Sequence, residues 1–214
     1  MNRRMHIKTL LLAGATLFAA FGPSLAETPA EMAQKLLAAA PSLGEQSLGK
    51  ADAPVVMVEY ASATCPHCAA FHEMVLPQLK ADYIETGKMR FIFREYPLDK
   101  LAMGAFMLAR CVPNDKYFPT IDMMFRRQQT WRTSSNPAGE LFRIMQLSGM
   151  DKPGFEACLK RQDVIKDISD TARKAREDFG VKGTPAIFIN GKLVDGHKEF
   201  ADLKIVIDAA LAQQ

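Results

Sequence analysis

Apolar positions along the chain change period several times, and each change marks an element. "APVVMVEYAS" holds the unbroken run Val55, Val56, Met57, Val58, the pattern of a strand buried on both faces. "KMRFIFREYP" reads as a second such strand. Between them Phe71, Met74, Val75 and Leu79 recur at helical spacing up to Gly87, with Pro66 suited to the first turn and Pro77 predicted to kink the helix. Two buried strands joined through a helix make a βαβ unit with parallel strands.

From Leu98 to about Gly180 the pattern turns helical, in five stretches: "DKLAMGAFMLARC", "YFPTIDMMFRRQQTW", "NPAGELFRIMQLSG", "DKPGFEACLK" and "DVIKDISDTARKAREDFG". Strand character returns in "AIFINGKLV", where Asn190 and Gly191 between apolar runs signal a hairpin. The last segment sets Phe200, Leu203, Val206, Ile207, Ala210 and Leu211 on one helical face. Ahead of the first strand, Thr28, Pro29 and Glu31 form a helix start, and Pro41 stops that helix after about Ala40. The order is βαβ, helical block, ββα. It divides the chain into residues 27–97, an inserted helical subdomain at 98–180, and 181–214.

Residues 1–26 follow a different logic. Arg3, Arg4 and Lys8 precede an apolar run from Thr9 to Gly22, and small residues Ser24 and Ala26 supply a cleavage site, so this stretch reads as a secretory signal peptide cleaved after Ala26. The run is shorter than the roughly 20 residues of a spanning helix. The whole chain carries a formal charge of +3; removing residues 1–26 takes away three of 27 basic side chains and none of 24 acidic ones, leaving zero. Basicity thus belongs to the signal, and a nucleic-acid partner loses its compositional support. Hydrophobic residues at 48% and charged ones at 24% exclude disorder as the main state.

The candidate chemistry lies in "ATCPHCAAF". Cys65 stands where the first strand hands over to a helix, facing unpaired backbone N–H groups and the positive end of the helix dipole, which favour thiolate over thiol. Cys68 is one turn further in. Cys65 is therefore expected as the exposed nucleophile and Cys68 as the resolving thiol, with His67 donating a hydrogen bond or a positive charge to the Cys65 sulfur. A stabilised thiolate makes the reduced form more stable and the disulfide more oxidising. A metal site is the competing use of such a pair, but it needs three or four ligands; His72 does not share a helical face with His67, and His197 is distant in sequence. No metal is expected. The other two cysteines, Cys111 and Cys158, sit in the helical block, where an oxidising compartment favours a structural disulfide over two buried free thiols.

"LGKADAPVVMVEYASATCPHCAAFHEMVLPQL", followed at a distance by "GVKGTPAIFINGKLVDG", resembles the DsbA family of exported thiol-disulfide oxidoreductases, of whose active sites Cys-Pro-His-Cys is typical. The resemblance runs from about Leu48 to the C-terminus, with the helical block matching by position. It implies a thioredoxin-like fold with an inserted all-helical subdomain, and an enzyme without an organic cofactor that works through a Cys65–Cys68 disulfide. It also implies a periplasmic monomer that oxidises unfolded or reduced exported proteins and is reoxidised by a DsbB-like membrane partner. Three further positions match: Thr184 and Pro185, where the family has a cis-proline loop packed on the active-site sulfur and open to an extended substrate, and Glu59, the family's buried acid, placed to exchange protons with Cys68. One position departs: many oxidase members carry valine before the cis-proline, whereas threonine is common in isomerases and reductases. A disulfide isomerase or reductase is thus the alternative, although such relatives use a dimerising arm and the 22 residues from Glu27 to Leu48 are short for one. A non-catalytic chaperone or metal carrier on the same fold is the third reading.

Overall fold

The computed structural model describes residues 27–194 and 199–213; the proposed signal peptide and His197 lie outside the described residues. Five strands form one mixed sheet in the order β1-β3-β2-β4-β5. Strands β2 (Val55–Ala61) and β3 (Met89–Glu95) pair in parallel at its centre, so the sequence's two apolar runs become a buried strand pair. β4 (Ala186–Ile189) lies antiparallel to β2 and turns into β5 (Lys192–Leu193). Asn190 and Gly191 have φ of 45° and 82°, the pair of left-handed residues a two-residue hairpin needs. Gly191 is also required by packing. A Cβ there would lie 2.1 Å from the Pro29 carbonyl of α1 (Pro29–Ala38), whose capping box from Thr28 and Glu31 forms as the sequence implies.

Strand alternation decides which side chains meet which layer. Val58, Tyr60 and Ile92 face α1 and the end of α9 (Gln162–Phe179) on one side of the sheet. Met57, Ala61, Phe91 and Phe93 face the active-site helix, α10 (Phe200–Leu211) and the helical block on the other. Glu59 shares the parity of Met57 and Ala61. It therefore points into an apolar layer beneath the active-site helix.

β1 (Gln46–Leu48), which apolar patterning does not announce, pairs antiparallel with β3 at the sheet edge. Arg94 fixes the segment just before it, donating to both carboxylate oxygens of Glu45 at 3.1 and 2.7 Å and to Tyr60 Oη at 2.9 Å. Arg110 adds a bond to the Gly44 carbonyl at 2.8 Å while paired with buried Glu95. The N-terminal segment is thus committed to its own sheet.

Between β3 and β4 lie α4 (Lys100–Arg110), α5 (Asn114–Arg126), α6 (Gln128–Thr133), α7 (Pro137–Leu147), α8 (Lys152–Cys158) and α9. The sequence suggests one helix across 117–131. The structure instead starts it at Asn114 and breaks it at Arg127 (φ −105°, ψ 12°), which lets Gln128 turn inward. The kink predicted at Pro77 is replaced by a change of helix type. Residues 66–84 run as α2 (Pro66–Ala70), a π-helical turn (Phe71–Val75), α3 (Leu76–Leu79) and a second π-helical turn (Lys80–Ile84). Pro77 crowds the carbonyl four residues back and offers no N–H. The wide turn before it, in which the Leu76 N–H reaches the Phe71 carbonyl, gives that ring room.

Candidate active site

The loop leaving β2 is held in place before any sulfur chemistry begins. Ser62 and Thr64 bond side chain to side chain at 3.3 Å, and Thr64 Oγ1 donates to Asp99 at 2.7 Å, the residue that caps α4. From the helical block, the buried amide of Gln128 donates to the Ala63 carbonyl at 2.8 Å and the Cys65 carbonyl at 2.9 Å. Neither brace was foreseeable, since a glutamine 63 residues downstream carries no local signal. Cys65 then takes the N-cap position of α2 with an extended backbone, Pro66 following at the first helical position.

Both active-site cysteines are free thiols and buried, Cys65 6% exposed and Cys68 fully covered. Cys65 is the less covered of the two, yet far less open than the sequence suggests, because the loop ahead of β4 lies across it. The Thr184–Pro185 peptide bond is cis, and Cys65 Sγ donates to the Thr184 carbonyl at 3.2 Å. Ionisation of Cys65 is favoured first by the Cys68 thiol donating to its sulfur; burial opposes it, and the backbone N–H groups of Cys68 and His67 assist. The net result is a fall to about 5. Burial pushes Cys68 in the opposite direction, reinforced by its bond to Cys65 and by the charge of Glu59. One sulfur is thus held ionised and the other protonated. His67 contributes through its backbone, and its side chain is exposed.

Glu59 is fully buried, as its strand parity requires. Its partner is a residue that sequence reasoning passed over: His72, whose Nε2 lies 2.9 Å from Glu59 Oε2. His72 sits in the first π-helical turn, walled by Phe93 and by Phe125 at a ring separation of 4.3 Å. Burial disfavours a charged imidazole, but Glu59, with Asp122 behind it, outweighs that and raises His72 to about 9. The signal available in the sequence was a histidine in an apolar helical stripe opposite a strand that carries one acid.

Beside the dithiol runs a groove of about 780 Å³, lined by His67, Phe71, Met74, Val75, Pro185 and Phe200 among others. Cys111 and Cys158 are joined by a disulfide that ties the end of α4 to the end of α8. Among the described residues no three His, Cys, Asp or Glu side chains converge to hold a metal ion, and no helix is long and apolar enough to cross a membrane.

A family model described as thioredoxin matches residues 42–209. The crystal structure of α-DsbA1 from Wolbachia pipientis superposes with a TM-score of 0.77 at 32% identity, covering 85% of this chain and 96% of that one. A putative protein-disulfide oxidoreductase of Rickettsia bellii is 30% identical over 78% of this chain and 64% of its own length. A probable disulfide bond formation protein D of Bacillus anthracis is 30% identical over 78% of each. The chain spans 60 to 64% of the length of the Rickettsia relatives it matches.

Proposed function

Since this chain belongs to the DsbA family of thioredoxin-fold disulfide oxidoreductases, we propose that it introduces disulfides into exported polypeptides by exchange at Cys65 and Cys68. A substrate thiolate attacks Cys65 Sγ, the Cys65–Cys68 bond breaks, and Cys68 leaves and takes a proton. A second substrate thiolate then attacks the substrate sulfur of the mixed disulfide. That releases an oxidised substrate and the Cys65 thiolate, with two electrons now on the dithiol. A DsbB-like membrane partner removes them. Glu59 is the buried acid–base group that serves Cys68, and the groove beside Pro185 receives the unfolded chain.

The observation that carries the oxidising direction is Cys65 at the N-cap of α2 with its proton affinity lowered: each unit by which its pKa lies below the ambient pH adds about 1.4 kcal/mol to the stability of the reduced form over the disulfide. The isomerase alternative is supported only by Thr184, and the segment that could serve as a dimerising arm is engaged as α1 and β1, which supports a monomer as the working form; the signal-like residues 1–26 support its export to the periplasm. Equilibrating the protein with glutathione buffers of graded potential tests this. An oxidising midpoint is expected. A strongly reducing one would support the isomerase or reductase, and absence of exchange at Cys65 would support a non-catalytic binding role.

A further inference from the structure

The dithiol proposed above creates a transport problem. Cys68 is fully covered, yet each turn of the cycle must bring a proton to its sulfur and take it away again. The groove beside Cys65 is where substrate would sit.

Two polar atoms in the buried layer under the active-site helix, where the charge of Glu59 acts on Cys68, have no protein partner: Glu59 Oε1 and His72 Nδ1. Unpaired buried polar atoms of this kind are uncommon and mark either trapped water or chemistry. They lie at the two ends of one bonded unit, because Glu59 Oε2 and His72 Nε2 are joined at 2.9 Å. His72 Nδ1 is 3.9 Å from Asp122 Oδ1, too long for a direct hydrogen bond and suited to a bridging water. Asp122 is 37% exposed and borders a second cavity, of about 230 Å³, whose wall includes His72 itself. This cavity is separate from the substrate groove, and Lys80, Glu85 and Arg126 stand around it.

We propose that Glu59, His72 and Asp122 form a proton exit that connects Cys68 to solvent through this cavity, with His72 and Asp122 as positioning residues acting through Glu59. When Cys68 must attack, its thiol proton moves to Glu59 Oε1, directly or across one water. The ion pair then gives up the His72 Nδ1 proton to water beside Asp122, and Glu59 stays protonated, bonded to a neutral imidazole. When Cys68 is next released as a thiolate, the transfer reverses and the pair recharges from the cavity. The groups facing His72 are consistent with this. Glu59 comes from β2 and Asp122 and Arg126 from α5; Lys80 and Glu85 lie further along its own helical run; Phe91, Phe93 and Phe125 supply the remaining apolar wall.

The inference rests on thiol exchange at Cys65, and its test separates the two. Reduced protein is mixed with oxidised glutathione, and release of the second glutathione, which requires Cys68 to lose its proton and attack Cys65, is followed by rapid acid quench across pH. His72→Gln is expected to slow this step by roughly a hundredfold, the lower reach of a positioned proton-transfer group. Asp122→Asn, at the partly exposed rim of the cavity, should slow it by a smaller factor. Imidazole added to solution should restore much of the Asp122→Asn rate while the Cys65 thiolate titration stays unchanged, a response that mere structural damage would not give. If both variants resolve the mixed disulfide at the wild-type rate at every pH, or if the Asp122→Asn loss is indifferent to imidazole, the exit is overturned though the exchange reading stands. If the wild type itself does not react with glutathione, both fall.

Discussion

Replacing Cys68 by alanine isolates the interaction that most strongly ionises Cys65. In the reduced protein the Cys68 thiol is the foremost donor to the Cys65 sulfur, ahead of the helix N–H groups. A hydrogen bond to a charged group contributes about 1.5–3 kcal/mol, which converts to roughly one to two pKa units. The Cys65 value should therefore climb from about 5 to roughly 6–7 in Cys68→Ala. The measurement is thiolate absorbance near 240 nm against pH; Cys111 and Cys158 are bridged and do not titrate, so the variant reports one sulfur. The wild type supplies a second check through stability. A lowered folded-state pKa stabilises reduced protein fully above the unfolded value, near 8.5, and that contribution is lost as pH falls through about 5. At pH 7 it amounts to about 2 kcal/mol after allowing for solvent at the sulfur's open edge, and it should shrink in Cys68→Ala. An unchanged Cys65 titration in that variant would refute the reasoning and leave the helix terminus as the dominant cause.

Three other outcomes follow from the same geometry. Gln128→Leu strips the side-chain donor from two buried carbonyls and should cost about 1–3 kcal/mol in denaturant unfolding, alike in both redox states; a loss confined to one state would contradict a purely bracing role. His72→Phe leaves the Glu59 carboxylate buried and unpaired, at a cost of about 3–5 kcal/mol, whereas the double change Glu59→Met/His72→Phe should recover most of it. Because His72 is raised to about 9, the stabilisation from this pair is complete below the free histidine range and fades as pH rises through 9, opposite in sign to that of Cys65, and a double-mutant cycle run at several pH values checks it. Replacing Cys111 and Cys158 together by serine opens a loop spanning 47 positions and should lower stability by about 2–4 kcal/mol while glutathione exchange at Cys65 persists.

Local pattern and local chemistry were legible from residues alone. The unbroken apolar runs dictate β2 and β3, Asn190–Gly191 dictates the hairpin, Thr28 and Glu31 dictate the start of α1, and a cysteine at a strand–helix junction dictates a thiolate, because each depends on neighbours within a turn or a strand pair. What escaped depends on residues brought together across long separations. β1 is only three residues long and exists through its pairing with β3 and the Arg94 and Arg110 contacts beside it. The helix break at Arg127 makes sense only once Gln128 is seen to hold the loop 63 residues earlier. The family resemblance implied that Glu59 lies under the dithiol but could not supply its partner, since whether His72 meets the strand is settled by a π-helical turn that helical periodicity does not report. Chain-local forces fixed which sulfur reacts; the three-dimensional packing of strand, helix and helical block decided how strongly it is ionised and where its neighbour's proton can go, because burial and charge pairing are properties of space rather than of order along the chain.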